Sequence, residues 1–182
     1  MHYTSTGGGQ PEYPSSWARA QVEEAVAAGI VPERLQRKYT QAATRAEFCA
    51  LAVQLYETVT GSEITERATF SDTTDINVQK MAGLGVVNGV GSGKFDPNGT
   101  LTREQAATIL VRLAEAMGYP LPEVGAPFAD DASIASWARD AVGRVKAGGI
   151  MDGVGSNTFN PKAAYSREQS ILTILRLYNT VK

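Results

Sequence analysis

Apolar residues recur every three or four positions in three long stretches of the chain, which is the spacing of one helix face. A shorter stretch of the same kind precedes the long ones, as in Ala141, Val142 and Val145 after Trp137. Because an apolar helix face needs a partner, the pattern predicts an all-α fold with the three long helices in a central bundle. Their stripes are Phe48, Leu51, Ala52, Leu55 and Val59; Ala106, Ile109, Leu110, Leu113 and Met117; Ile171, Ile174, Leu175 and Tyr178.

The chain also repeats itself, with a unit of about sixty residues. Residues 85–105 and 149–169 align without a gap, and fourteen of the 21 positions are identical or chemically similar. A weaker copy spans residues 29–47 and lacks the Gly-rich middle. Units this small cannot bury their own stripes, so we expect one shared core. We divide the chain into a linker or tag at 1–12, then unit 1 (13–61), unit 2 (62–119) and unit 3 (120–182).

The amino-acid composition disfavours several common kinds of binding and catalytic site. Seventeen Lys and Arg against nineteen Asp and Glu leave a net charge of −2, which disfavours nucleic acid and anionic membranes as partners. The single histidine is His2 and the single cysteine is Cys49, so catalytic triads, zinc clusters and disulfide frameworks are disfavoured. We therefore expect no catalytic residues, no metal and no cofactor. The apolar stretches predict no membrane insertion, and the first residues do not resemble a secretory signal.

Two ligand-binding motifs fail on inspection. The segment at residues 88–95 resembles a phosphate-binding loop, but it has Asn88 where that loop requires Gly and Phe95 where it requires Ser or Thr. An EF-hand register on Gly99 places Lys94 and Gln105 at principal carboxylate positions. Both segments are better explained as turns that lead into a helix.

Each long helix opens with a capping box, at Thr44, Thr102 and Ser166, in which the hydroxyl and a Glu or Gln three residues later satisfy each other's backbone amides. The next residue is always arginine, although the positive end of the helix dipole disfavours a cation there. Two explanations stay open. Free amides and guanidinium groups form an anion receptor, or each arginine is salt-bridged to a neighbouring unit, for instance at Asp72 or Asp130.

The order of these motifs resembles the S-layer homology domain, usually present in three copies. The resemblance runs from Trp17 to Lys182 and rests on WA, GI or GVVNG, F-x-P and T-R-x-E/Q. It implies a pseudo-threefold domain at the bacterial cell surface, part of a longer secreted parent protein. Its grooves between units would bind secondary cell wall polysaccharide, often through a pyruvate-ketal sugar. The alternative is a structural or protein-interaction module that keeps this fold without binding glycan.

The resemblance also implies a set of ligand-binding residues. The arginines would hold the ketal carboxylate, the tryptophans would face the sugar, and the glycines would let backbone approach it. The alternative for the tryptophans is ordinary core packing, which their helical spacing with Ala and Val favours. If the arginines lie on an exposed rim, replacing them should weaken binding with little loss of stability. Units 2 and 3 are expected to form the most complete groove, with Arg103, Arg167 and Trp137. The full set is Arg45, Arg103, Arg167, Trp17, Trp137, Gly29, Gly85, Gly149, Asp72 and Asp130.

Overall fold

The computed structural model describes residues 12–123 and 125–182, and all but the last residue of the predicted linker at 1–12 lies outside them. This described part is helical, with isolated β-bridges as its only extended pairing. The all-α prediction is thereby confirmed. The helices are α1 (Arg19–Ala27), α2 (Arg45–Thr60), α3 (Ile76–Gly83), α4 (Arg103–Ala116), α5 (Arg139–Ala147) and α6 (Arg167–Val181), with short 3-10 turns at Glu33–Leu35, Asp131–Ser133 and Ser136–Ala138.

The long helices α2, α4 and α6 begin where the sequence predicts. Thr44, Thr102 and Ser166 are their N-caps, and both hydrogen bonds of the capping box are present in each. The predicted stripes are buried, or partly buried at the C-terminal ends of α2 and α6. Together with the inner faces of the short helices they form one contiguous core, as expected for units too small to fold alone.

The short helices pack across the unit boundaries. The first helix of each unit lies against the long helix of the preceding unit: α3 contacts α2, and α5 contacts α4. The first helix of the chain, α1, contacts the last, α6, so the packing order closes on itself. Helix α6 also contacts both α2 and α4.

A ring of three backbone hydrogen bonds joins the starts of the long helices. The amide of Leu101 donates to the carbonyl of Ala43 (3.0 Å), that of Tyr165 to Leu101 (2.9 Å), and that of Ala43 to Tyr165 (2.8 Å). Each of these residues stands directly before an N-cap, so equivalent positions of the three units meet at one point. The ring therefore joins equivalent positions of the three predicted units.

Candidate ligand-binding grooves

A groove of about 370 Å³ lies beside α4, and we call it groove A. Arg45 from unit 1 and the loop at residues 87–90 of unit 2 line it. Arg112 of α4 and Trp137 of unit 3 complete the wall. Residues from all three units therefore contribute to it.

Groove B, of about 220 Å³, repeats this construction beside α6. Arg103 replaces Arg45, the loop at residues 152–154 replaces that of unit 2, and Arg176 replaces Arg112. Trp17 occupies the place of Trp137. Because Arg176 lies 64 positions after Arg112, the spacing of the two long-helix arginines is that of the repeat itself.

The predicted composition of the grooves is wrong in one respect. Arg103, Arg167 and Trp137 were expected in one groove, but Trp137 stands with Arg45, and Arg103 stands with Trp17. The reason is the packing order, since each groove combines the arginine of one unit, the loop and long helix of the next, and the tryptophan of the one after that.

The two tryptophans are surface residues. Trp17 is 61% exposed and Trp137 59% exposed, so the alternative of core packing is wrong for both. Trp137 lies in the 3-10 turn that precedes α5 rather than on its apolar face. Large exposed apolar side chains that line a groove are typical of a binding surface.

Arg45 and Arg103 bond to backbone carbonyls of the following unit. Arg45 donates from Nε to Phe95 O (3.0 Å) and from Nη2 to Asn88 O (2.9 Å), and it lies over the Phe95 ring. Arg103 donates in the same way to Phe159 O (2.7 Å) and Asp152 O (2.7 Å). These bonds tie each helix start to the loop that borders the groove.

Burial distinguishes the two arginines. Arg103 is only 6% exposed, and its guanidinium lies between the rings of Phe159 (4.7 Å) and Tyr165 (5.5 Å). Desolvation lowers its pKa from the ordinary value, but an arginine keeps its proton in such a site. The expectation of an exposed rim arginine is therefore wrong for Arg103, whereas Arg45 is half-buried.

Arg167 has different partners. It donates to the carbonyl of Arg37 (2.8 Å) and pairs with the carboxylate of Glu47, both in unit 1. Like Arg103 it is only 6% exposed, so it too is no rim arginine. Among the described residues, Arg167 is thus the one of the three arginines that forms an inter-unit salt bridge, and its acid is Glu47 rather than Asp72 or Asp130. In units 2 and 3 the residues at the position of Glu47 are Gln105 and Gln169.

The first-turn amides of the long helices are already bonded. The amide of Arg103 donates to Ala163 O (3.0 Å) and that of Glu104 to Pro161 O (3.0 Å). The first two amides of α2 and of α6 likewise donate to carbonyls of the adjoining unit. The part of the anion-receptor explanation that relies on free helix amides is therefore wrong, and only the guanidinium groups remain as candidate anion contacts.

Asp72 and Asp130 organise the loops beside the grooves. Asp72 accepts from the amides of Phe95 (2.9 Å) and Asp96 (2.8 Å). Asp130 accepts from Phe159 (2.8 Å) and Asn160 (2.9 Å). The amide bonds, led by that of Phe95, lower the pKa of Asp72. For Asp130 burial opposes the shift, but the amide bonds and the charge of Arg103 lower the pKa overall.

The predicted groove glycines have a different role. Gly29, Gly85 and Gly149 follow the last turns of the short helices with φ of 78°, 77° and 71°, the left-handed conformation that ends a helix. The glycines that line the grooves are Gly89 and Gly153. A Cβ on Gly153 would lie 2.6 Å from Thr158 O, and one on Gly89 would lie 2.7 Å from Lys94 O, so these positions leave no room for a side chain.

The third position of the ring has a pocket of another kind. A cavity of about 390 Å³ lies between α2 and α3, and its lining includes Arg34 and Gln54. Lys80 and Glu57 form an ion pair within it at 2.7 Å, and the bond to Lys80 lowers the pKa of Glu57 against the effect of burial. No tryptophan lines this cavity, as expected from unit 2, which lacks one.

Sequence reasoning missed two buried carboxylates, Glu104 and Glu168, which are 3% and 2% exposed. Each is the second residue of a long helix and accepts a backbone hydrogen bond just before a groove tryptophan, at Ala135 and at Ser15. The available signal was the glutamate that follows arginine in two units, where unit 1 has Ala46.

The other chemistry that the sequence raised concerns Cys49, metal binding and the bilayer. Cys49 is buried, and desolvation raises its pKa to about 12, which suits a structural thiol. Within residues 12–123 and 125–182 no cluster of histidine, cysteine, aspartate and glutamate is arranged to hold a metal ion. Over the same residues, every helix is too short or too polar to cross a bilayer.

Comparison with known families matches residues 70–107 and 127–169 to the S-layer homology domain. Over 174 residues the chain is 29% identical to exoglucanase XynX of Acetivibrio thermocellus, covering 89% of this chain and 15% of that protein. It is 29% identical over 171 residues to an amylopullulanase of Thermoanaerobacterium thermosulfurigenes, covering 89% of this chain and 9% of that protein. It is 30% identical over 93 residues to the surface-layer 125 kDa protein of Lysinibacillus sphaericus, covering 51% of this chain and 8% of that protein. The chain thus spans less than a sixth of each of these relatives.

Proposed function

Because residues 70–107 and 127–169 belong to the S-layer homology family, we propose that the chain is a non-catalytic module that anchors a longer protein to the bacterial cell wall. The ligand is an anionic secondary cell wall polysaccharide, held through a pyruvate-ketal sugar. Unit 1 is a third, diverged copy that completes the ring and supplies Arg45 and Trp17 to the two grooves.

The observation that carries the proposal is the pair of matched grooves. In each, an exposed indole and a guanidinium group line the same groove. The flat face of an indole packs on the apolar face of a sugar ring, while hydroxyls remain free to bond to polar groups. Loop carbonyls and amides with the long-helix side chains Gln105 and Gln169 supply such groups.

Positive charge in the grooves suits a carboxylate. Arg45 and Arg103 use Nε and Nη2 for carbonyl bonds, which leaves Nη1 of each for a ligand. Arg112 and Arg176 add a second guanidinium on the long-helix wall. A ketal carboxylate that meets two arginines gains charge-assisted hydrogen bonds of the kind that neutral sugars lack.

Two grooves predict two sugar sites per chain. Arg167 is paired with Glu47, and no tryptophan lines the cavity between α2 and α3, so we assign the third position as a contact between units 3 and 1 rather than a sugar site. Titration of a pyruvylated disaccharide into the protein should give a stoichiometry of two. A stoichiometry of three would contradict this assignment.

The decisive experiment is sedimentation with purified wall sacculi, before and after chemical removal of the secondary polymer. We expect binding that disappears with the polymer and that weakens in Trp17→Ala and Trp137→Ala. Tyr119→Ala is the matched control, because Tyr119 is 49% exposed but lies outside both grooves. Binding that survives removal of the polymer, or no binding at all, would refute the proposal and favour a protein-interaction module.

A further inference from the structure

We propose that Glu104 and Glu168 are positioning residues that hold Trp137 and Trp17 in place over grooves A and B. Each glutamate belongs to one unit and each tryptophan to the next around the ring. The ordering of the indoles is a property of the free protein. Only the expected effect on sugar binding rests on the proposed function.

Glu168 is joined to the segment that carries Trp17 by two hydrogen bonds. Its Oε2 accepts from the amide of Ser15 at 2.8 Å, and its Oε1 accepts from the hydroxyl of Ser15 at 2.6 Å. The two residues are 153 positions apart in sequence, so this contact exists only in the closed ring. Hydrogen bonds to an ionised carboxylate are the stronger kind, and here the acceptor is almost fully buried.

Glu104 makes the equivalent contact with the segment that carries Trp137. Its Oε1 accepts from the amide of Ala135 at 3.1 Å. Its Oε2 pairs with Lys162 at 2.6 Å, which satisfies the second oxygen as the Ser15 hydroxyl does for Glu168. In both cases the bonded backbone amide lies two residues before the tryptophan.

These segments lack a cap of their own. Ala18 and Ala138 are the N-caps of α1 and α5, and neither offers a side-chain bond. Ala135, which precedes the turn at Ser136–Ala138, makes none either. A helix start without a cap frays, so a carboxylate from the neighbouring unit fixes the position from which each indole extends.

Unit 2 has no tryptophan at the equivalent position, and the long helix before it has no glutamate as its second residue. The residue at the glutamate position of α2 is Ala46, which cannot reach the next unit, and the first helix of unit 2 is capped by its own Asp75 through the amide of Asn77 at 2.8 Å. At the position of the tryptophan stands Thr73. Glutamate and tryptophan are thus present together in two places and absent together in the third.

The test uses the fact that the chain has two tryptophans. In a Trp137→Phe background the only tryptophan is Trp17, and in a Trp17→Phe background it is Trp137, so red-edge excitation that avoids tyrosine reports one indole at a time. Glu168→Ala and Glu104→Ala are introduced into each background. Tryptophan anisotropy and acrylamide quenching report the motion of the indole, and circular dichroism with thermal melting confirms that each variant is folded.

We expect a crossed pattern. Glu168→Ala lowers the anisotropy of Trp17 and leaves Trp137 unchanged, and Glu104→Ala does the opposite. Glu168→Gln and Glu104→Gln restore the ordered signal, because an amide oxygen still accepts from the backbone. Glu115→Ala on the exposed end of α4 changes the same charge and should alter neither signal. Equal anisotropy in all variants, or a fall in both tryptophans together, overturns the inference.

Binding is measured as a separate arm with the pyruvylated disaccharide. Disordering one indole should weaken its groove about three- to tenfold, the cost of ordering one large side chain on binding, while the other groove is unaffected. If the wild type fails to bind but the crossed anisotropy pattern appears, the positioning role stands and the proposed function fails. If the wild type binds and the anisotropies do not change, the proposed function stands and the positioning role fails.

Discussion

Replacing Arg103 with alanine tests whether this arginine stabilises the fold by joining units 2 and 3, in addition to lining groove B. Arg103 is buried, donates to two carbonyls of unit 3 and lies against two aromatic rings. The substitution would remove the link between the start of α4 and the loop of unit 3, and would leave the carbonyls of Phe159 and Asp152 without their donor.

The expected loss follows from these contacts. A hydrogen bond to a charged group contributes about 1.5–3 kcal/mol, so two such bonds amount to at least about 3 kcal/mol even before the ring contacts are counted. For a domain of this size, about 1 kcal/mol shifts the melting temperature by about 2–4 °C. Arg103→Ala should therefore lower the melting temperature by about 6–12 °C, and Arg103→Lys should fall between it and the wild type because lysine cannot reach both carbonyls at once.

The assay is thermal unfolding followed by circular dichroism, with Arg112→Ala as the matched control. Arg112 also lines groove A but is only half-buried on the surface of α4, and surface substitutions shift the melting temperature by no more than about 2 °C. Arg112→Ala should weaken polymer binding at nearly unchanged stability. If Arg103→Ala melts within about 2 °C of the wild type, the structural role assigned to this arginine is refuted.

Two further predictions concern the groove loops. The folded-state pKa of Asp130 lies below its ordinary value of 3.8, so its contribution to stability is present above about pH 4 and is lost as the pH falls through the lowered pKa. The melting-temperature difference between wild type and Asp130→Asn should therefore be largest near neutral pH and shrink in acid; a constant difference down to pH 2 would contradict it. Gly153→Ala should lower both stability and binding in groove B, because the new Cβ meets Thr158 O. Gly125→Ala, which meets nothing within 4 Å, should melt like the wild type, and equal behaviour of the two variants would argue against a tightly packed loop.

The sequence determined the long helices and their starts, because these depend on contacts between residues three or four positions apart, and the repeat is visible in the sequence directly. Capping boxes at Thr44, Thr102 and Ser166 and the apolar stripes behind them are such local signals, and the structure contains all of them. The arginines and tryptophans could be singled out for the same reason, since their spacing from the repeat glycines is nearly constant.

What only the tertiary structure decided is which residues meet across the unit boundaries. The closing contact of α1 with α6 places Trp17 with Arg103, and the same order places Trp137 with Arg45. The same order lets the first-turn amides of the long helices donate to carbonyls of the adjoining unit. No local pattern encodes these pairings, because the partner of a side chain at a unit boundary depends on how the units are ordered around the ring.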